Sequence, residues 1–364
     1  ARAATKTLSA IDAETKGWLQ AYANGVNTWL SNNPLPPEYA ALEITTVEPW
    51  TPVDSVLVGK GLAVSLSLET SDIDNTIKLG AYNIVGEVAG INGPALFFED
   101  THRSAPPDDR FTAPEFLSAM ATAAKQSTEA TTHSVDARPR SELVGDLSVS
   151  EATMALAKKI KARLDDAPLL QQKLQNRDLP KGSNAWLISG EHTATGNAMI
   201  ANDPHLALNT PSIWYESHLV FSRDGEEWHV NGANLPGAPG NVLGCNSVGC
   251  WGATVNPLDV TDFYLEQFQT NALGLPTHTV YKGEPEPIQQ VFNSWFVNVV
   301  GDGEPDNMVR APIGYTSGAI TLAIPRRNDG PVLDIDGDAG ISMAYTGSRD
   351  THELTMFRKL NLAR

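Results

Sequence analysis

Cysteine is nearly absent from this chain: two residues in 364, Cys245 and Cys250, both within GCNSVGC. That excludes a disulfide-dense scaffold, and the lack of further ligands beside them argues against a cysteine zinc site. A small disulfide loop in an oxidising compartment and a pair of buried thiols both satisfy the pattern. Positive charge is also scarce, with 26 Lys and Arg against 43 Asp and Glu, a net charge of −17. Such a field repels phosphate backbones and anionic lipid, which argues against nucleic-acid or membrane-surface binding. Long apolar runs are missing as well. A membrane helix needs about 18 to 20 consecutive apolar residues, and the longest candidate, residues 58–68, is interrupted at Lys60. No glycine-rich phosphate loop and no internal repeat occur. Residue 1 falls in a polar helical pattern with no signal peptide visible, and the chain stops within a helix-like stretch, residues 351–364. Both ends are expected to be cuts in a longer precursor.

What is present suits a large core: hydrophobic residues make up 41%, with eight Trp and ten Phe. At roughly 150 residues per domain the length suggests about two domains. Residues 11–30 place Ile11, Trp18, Leu19, Tyr22, Val26 and Leu30 on one helix face. The prolines of NNPLPPEY then break the pattern. A second helix is expected over residues 52–79, opened by Thr51 as N-cap and Pro52 at the first helical position. Residues 118–141 have almost no large apolar side chain and read as an exposed connection. Helical periodicity resumes over 150–174. After Gly182 the texture changes to short β-branched and aromatic runs, at 186–189, 213–221, 228–230, 263–268, 291–300 and 319–324. Gly, Asn, Asp and Pro separate them, as in an antiparallel sheet protein.

The switch from helix to strand falls at Lys181-Gly182-Ser183-Asn184. Gly-Ser-Asn alone is only a turn signal. Here it opens GSNAWLISG, followed by TGNAMIANDPHLAL and GCWGATVNPLDVTDFYLEQF. With NGVNTWL, PPEYAALEITTVEPWTPVDSV, LETSDIDN, RRNDGPVLDID and the terminal AYTGSRDTHELTMFRKLNLAR, these blocks resemble the penicillin acylase group of N-terminal nucleophile hydrolases. The likeness runs in the family's order over nearly the whole chain. It implies an α+β fold, a four-layer αββα sandwich with a mostly helical N-terminal part. Residues 1–182 would be the α-subunit part with a spacer toward its end, and 183–364 the strand-rich start of the β-subunit, interleaved in one structural unit.

The resemblance implies cleavage between Gly182 and Ser183. Gly182 offers a carbonyl without a side chain in the way of the Ser183 hydroxyl, giving an ester that water resolves. The new α-amino group, with a reference pKa of about 7.7 to 8.0, then serves as base to the hydroxyl of its own residue. His205 in NDPHLAL would orient that amine or offer a backbone contact. The backbone N–H of Val255 in WGATV would donate to the tetrahedral oxyanion, and the family's second donor, an asparagine, is expected beyond Arg364. Asp72, Asp259 and Asp262, with the Thr261 carbonyl, match positions that hold a structural Ca²⁺ in the family. No organic cofactor is implied.

Leu62, Leu66 and Leu206 match acyl-pocket positions. Aliphatic walls favour an alkyl chain, at about 0.8 kcal/mol per buried methylene, hence an N-acyl homoserine lactone over a β-lactam. The alternatives are a β-lactam acylase and an uncleaved, silent relative that binds without turnover. The resemblance further implies a small-molecule acyl amide as substrate, an α/β heterodimer from one precursor, and a periplasmic or secreted location.

Overall fold

The computed structural model describes residues 1–101, 148–166, 182–206, 212–255, 258–309, 314–316, 319–327 and 330–363. The expected connection at 118–141 lies outside the described residues, as does the end of the expected helix at 150–174. Internal contacts divide the chain into two compact units, Ala1–Thr70 with Leu164–Arg364, and Ser71–Arg163.

The first unit opens with helices α1 (Arg2–Ala10), α2 (Ala13–Asn32), α3 (Pro37–Ala41) and α4 (Pro52–Ser67). The apolar stripe of α2 does what its spacing predicts. Leu19 is fully buried and joins Ala4, Ile11, Val56 and Leu354 in one core cluster. Leu354 comes from the last helix, Glu353–Asn361, so the two ends of the described chain share a core. Thr51 and Asp54 form a capping box at the start of α4, with Pro52 at its first position. Lys60, which interrupts the apolar run, is half-buried and donates to the carbonyls of Gly347 (3.0 Å) and Arg349 (2.8 Å). Burial lowers its pKa from the ordinary lysine value.

The single helix expected over 52–79 is two helices. Leu68 turns extended (φ −61°, ψ 125°), ending α4, and α5 starts at Ser71. The contacts at the junction give the reason. Ser67 bonds back to the Ala63 carbonyl and across to the Tyr345 hydroxyl (both 2.7 Å), while Asp72 and Asp74 supply the negative charge a new helix N-terminus favours. The second unit packs α5 (Ser71–Ala89), α6 (Gly93–Thr101) and α7 (Glu151–Asp165). There Tyr82 meets Phe97 edge-to-face at 5.7 Å, and Lys161 pairs with Asp74 at 3.1 Å.

Strands follow Gly182 as expected. β1 (Ser183–Ile188) and β2 (Met199–Pro204) form an antiparallel pair. β3 (Tyr215–Arg223), β4 (Glu226–Asn234), β5 (Leu243–Asn246) and β6 (Cys250–Trp251) form a meander. Its first hairpin closes through Asp224-Gly225, both at positive φ (56° and 85°), the requirement of a two-residue turn matched to strand twist. A larger antiparallel sheet takes β7 (Thr261–Thr270), β8 (Pro276–Tyr281), β9 (Glu284–Pro287), β10 (Gln289–Asn298), β11 (Met308–Val309), β12 (Gly314–Thr316), β13 (Ala319–Arg327), β14 (Gly330–Asp336) and β15 (Ala339–Tyr345).

The final helix, α8 (Glu353–Asn361), is pinned to the meander by side-chain amides. Asn361 donates to the Asn241 carbonyl and accepts from the Asn241 N–H, both at 2.8 Å. On its other side Arg358 reaches Asp12, the N-cap of α2, and Glu14 at 2.7 Å. Hydrogen bonds from Thr15, helped by Arg358, hold the Asp12 carboxyl down at about 2. A depressed carboxyl stabilises the fold above its unfolded pKa, near 3.9, and that contribution is lost as pH falls toward 2. Asp12→Asn should therefore lower Tm at pH 5 to 7, with the gap to the parent closing by about pH 2. A gap independent of pH would show that the Asp12 charge contributes nothing.

Candidate active site

Ser183 opens β1, half-buried, directly opposite Pro204 of β2 in the ladder. One step further along, the His205 backbone N–H donates to the Gly182 carbonyl oxygen at 3.0 Å. The carbonyl of the Gly182–Ser183 bond thus already faces a fixed N–H donor. A Cβ built at Gly182 would meet nothing within 4 Å. The His205 ring turns the other way, its Nε2 2.7 Å from Asp203 Oδ2.

Asn202, not singled out by the sequence, ties this hairpin to the WGATV segment. Its Nδ2 donates to the Asn184 carbonyl (2.9 Å) and the Ala253 carbonyl (3.1 Å), and its Oδ1 accepts from the Ala253 N–H (3.0 Å). A side chain at Gly252 would collide with Asn202 at 2.8 Å, so the close approach requires glycine. Val255 lies two residues beyond Ala253 and is exposed. Cys245 and Cys250 are disulfide-bonded, at paired positions of β5 and β6. Of the two readings open from sequence, the disulfide holds. It closes the turn immediately before Trp251-Gly252.

A cavity of about 390 Å³ adjoins the hairpin, with Ile200, Asn202 and Pro204 on one side and Trp214, Trp251 and the disulfide on the other. Trp214 Nε1 is buried with no acceptor among the described residues, a donor available to a ligand oxygen. Leu62 packs in the cluster that includes Trp214, Ile213 and Leu243. Leu66 and Leu206 are half-buried, and none of the three leucines lines this cavity. A larger apolar cavity, about 760 Å³ between Trp18, Tyr22, Tyr215 and Leu235, receives no residue of β1 or β2. Its size does not make it the site.

Asp259 and Asp262 are exposed and flank the start of β7, where Thr261 is fully buried and accepts from the Glu69 N–H at 3.5 Å. Asp72 stands in the first turn of α5, in the other unit. Among the described residues no group of three or more His, Cys, Asp or Glu is assembled to hold a metal. The donors at these four positions are all oxygen, the chemistry of a hard cation.

A family model for penicillin amidase matches residues 1–364. The chain belongs to the penicillin amidase family. Its relatives include "Penicillin acylase 2 proenzyme" of Pseudomonas sp. (strain SE83), 27% identical over 72% of this chain and 28% of that protein. "Acyl-homoserine lactone acylase QuiP" of Pseudomonas aeruginosa is 31% identical over 32% of this chain and 13% of that protein. "Penicillin G acylase" of Escherichia coli is 26% identical over 74% of this chain and 32% of that protein. The chain therefore spans about a third or less of the length of these relatives. Among solved structures, a thermostable penicillin G acylase from Alcaligenes faecalis aligns at 22% identity and a TM-score of 0.37, over 50% of this chain and 29% of that one. Among the described residues no helix is long and apolar enough to cross a membrane.

Proposed function

We propose that this penicillin amidase family chain carries the nucleophile of an autoprocessed serine amidohydrolase that cleaves an N-acyl amide. The observation that carries the reading is the local arrangement at Gly182–Ser183. The peptide carbonyl to be attacked accepts from the His205 N–H, and Asn202 joins the same hairpin to the segment bearing Val255. In maturation the Ser183 Oγ adds to the Gly182 carbonyl, and the negative charge on that oxygen gains a preorganised donor in His205 N–H. Collapse breaks the C–N bond and frees the Ser183 amine, the Oγ proton passing to that nitrogen; water then hydrolyses the ester left on Oγ, restoring the hydroxyl and releasing Gly182 as a carboxylate. That amine then takes the Oγ proton as Ser183 attacks a substrate acyl carbon, and returns it to the leaving amine; water, deprotonated by the same amine, then cleaves the acyl ester and restores the Ser183 hydroxyl. Val255 N–H is the proposed donor to that second oxyanion. The proposed product is an α/β heterodimer in the four-layer αββα sandwich.

For the substrate we propose an aliphatic acyl amide such as an N-acyl homoserine lactone, resting on the family resemblance that matches Leu62, Leu66 and Leu206 to acyl-pocket positions and not on the cavity beside β2, which none of them lines; among the relatives, one is named for acyl-homoserine lactones and two for penicillins. Turnover of decanoyl homoserine lactone against penicillins G and V tests this. Faster turnover of the penicillins would overturn the aliphatic assignment, and no Ser183-dependent turnover of any acyl amide would favour a silent binding relative. A periplasmic or secreted location fits the disulfide.

Asn202→Asp keeps the acceptor of Ala253 N–H and loses both donations. Misplacing an oxyanion donor by about 1 Å costs roughly 100-fold, so kcat should fall about 10- to 100-fold with the thiol count and fold unchanged. An unaltered kcat would remove Asn202 from the account. Calcium is proposed at Asp259, Asp262 and the Thr261 carbonyl, supplying charge balance at the start of β7 and no step of the chemistry. Chelation should lower Tm, with recovery on adding Ca²⁺; no change would dismiss the ion.

A further inference from the structure

On the same face of the meander as Glu216, which borders the cavity beside Asn202, two histidines meet across strands. His218 of β3 and His229 of β4 are diagonal in the register, which pairs His218 with Asn231 and Val220 with His229. His218 Nε2 lies 3.1 Å from His229 Nδ1. The other nitrogen of His229, Nε2, lies 2.9 Å from Glu227 Oε1. A carboxylate only accepts, so Glu227 fixes the proton of neutral His229 on Nε2 and leaves a lone pair on Nδ1. His218 Nε2–H then donates to that lone pair. The backbone beneath is held as well, since the His229 N–H donates to Ser247 Oγ at 3.0 Å. Both rings reach solvent.

We propose that His218 and His229 form a chelating site for a divalent transition cation of the Zn²⁺, Ni²⁺ or Cu²⁺ class, with Glu227 as the residue that orients His229. Two metal–nitrogen bonds of about 2.0 to 2.1 Å at a tetrahedral angle separate the nitrogens by about 3.3 Å, against the 3.1 Å found. The rings need only a small rotation. On binding, the His218 proton moves from Nε2 to Nδ1, freeing the Nε2 lone pair, while His229 keeps its proton on Nε2 toward Glu227. Water fills the remaining positions. The carboxylate–histidine–metal arrangement raises the basicity of the ligand ring and holds its tautomer. Imidazole donors select this class over Ca²⁺ and Mg²⁺, so the site is independent of the proposed calcium ligands. Its bond between β3 and β4 would staple the meander beside the cavity, and the chain's net negative charge favours cation approach.

Isothermal titration with ZnCl₂ tests the proposal. One Zn²⁺ per chain should bind, with His218→Gln and His229→Gln each abolishing that equivalent. Glu227→Gln should weaken it about 10- to 100-fold. His192→Gln serves as the control, since His192 faces Glu191 at 3.5 Å but has no histidine partner among its described contacts; it should change nothing. Cu²⁺ bound at the site should show two imidazole nitrogens by electron paramagnetic resonance, and only one in either single variant. Zinc binding that survives both His218→Gln and His229→Gln, or no binding by the folded parent chain, overturns the site. An unchanged affinity in Glu227→Gln overturns the orienting role.

Discussion

Ser183→Ala is expected to yield a single uncut chain with no measurable amide hydrolysis. Both losses follow from one atom. Without Oγ nothing attacks the Gly182 carbonyl, so the His205 N–H, 3.0 Å from that oxygen, has no developing charge to stabilise. Without cleavage there is no free α-amine at residue 183, and the base disappears with the nucleophile. Removing such a nucleophile costs roughly 10⁴- to 10⁶-fold in kcat. The fold should hold, because Ser183 is half-buried at a strand start and its ladder pairing with Pro204 uses backbone only. Mass spectrometry and an acyl-amide assay on the same sample check this. Normal cleavage in Ser183→Ala would move the chemistry to another residue.

Arg327→Met should give the largest loss of stability, about 3 to 5 kcal/mol by denaturant unfolding. Glu266 is buried and the Arg327 side chain is largely so, with Nε to Oε2 at 3.1 Å. Glu266 also accepts from the hydroxyls of Thr279, at 2.6 Å, and Ser342. Arg327 continues to Glu286 at 3.4 Å and lies over the Tyr281 ring. One network therefore joins β13, β7, β8, β9 and β15. Methionine fills the volume but leaves Glu266 an uncompensated buried charge. Adding Glu266→Gln to Arg327→Met should recover part of the loss, since the cost lies in the orphaned charge more than in the absent bond. A cost below about 1 kcal/mol would place the pair with ordinary surface ion pairs.

Much of the fold is legible in the sequence where one element's pattern suffices. The stripe of α2 and the start of α4 at Thr51-Pro52 each act through neighbours in the chain. The break at Leu68 is less so, because one of the two contacts of Ser67 is Tyr345, 278 positions away. The site divides in the same way. Ser183 stands at a visible change of texture. Asn202 becomes meaningful only once the ladder sets Ser183 against Pro204 and brings β2 beside Ala253. His218 and His229 are likewise unremarkable until the register of β3 and β4 makes them diagonal neighbours. Residue type gives the chemistry, and pairing across strands gives the company.

Sequencing the amino termini of the purified protein tests the central claim most directly. The expected result is a chain beginning Ser183-Asn184-Ala185. An intact Gly182–Ser183 bond in protein that hydrolyses decanoyl homoserine lactone would contradict it.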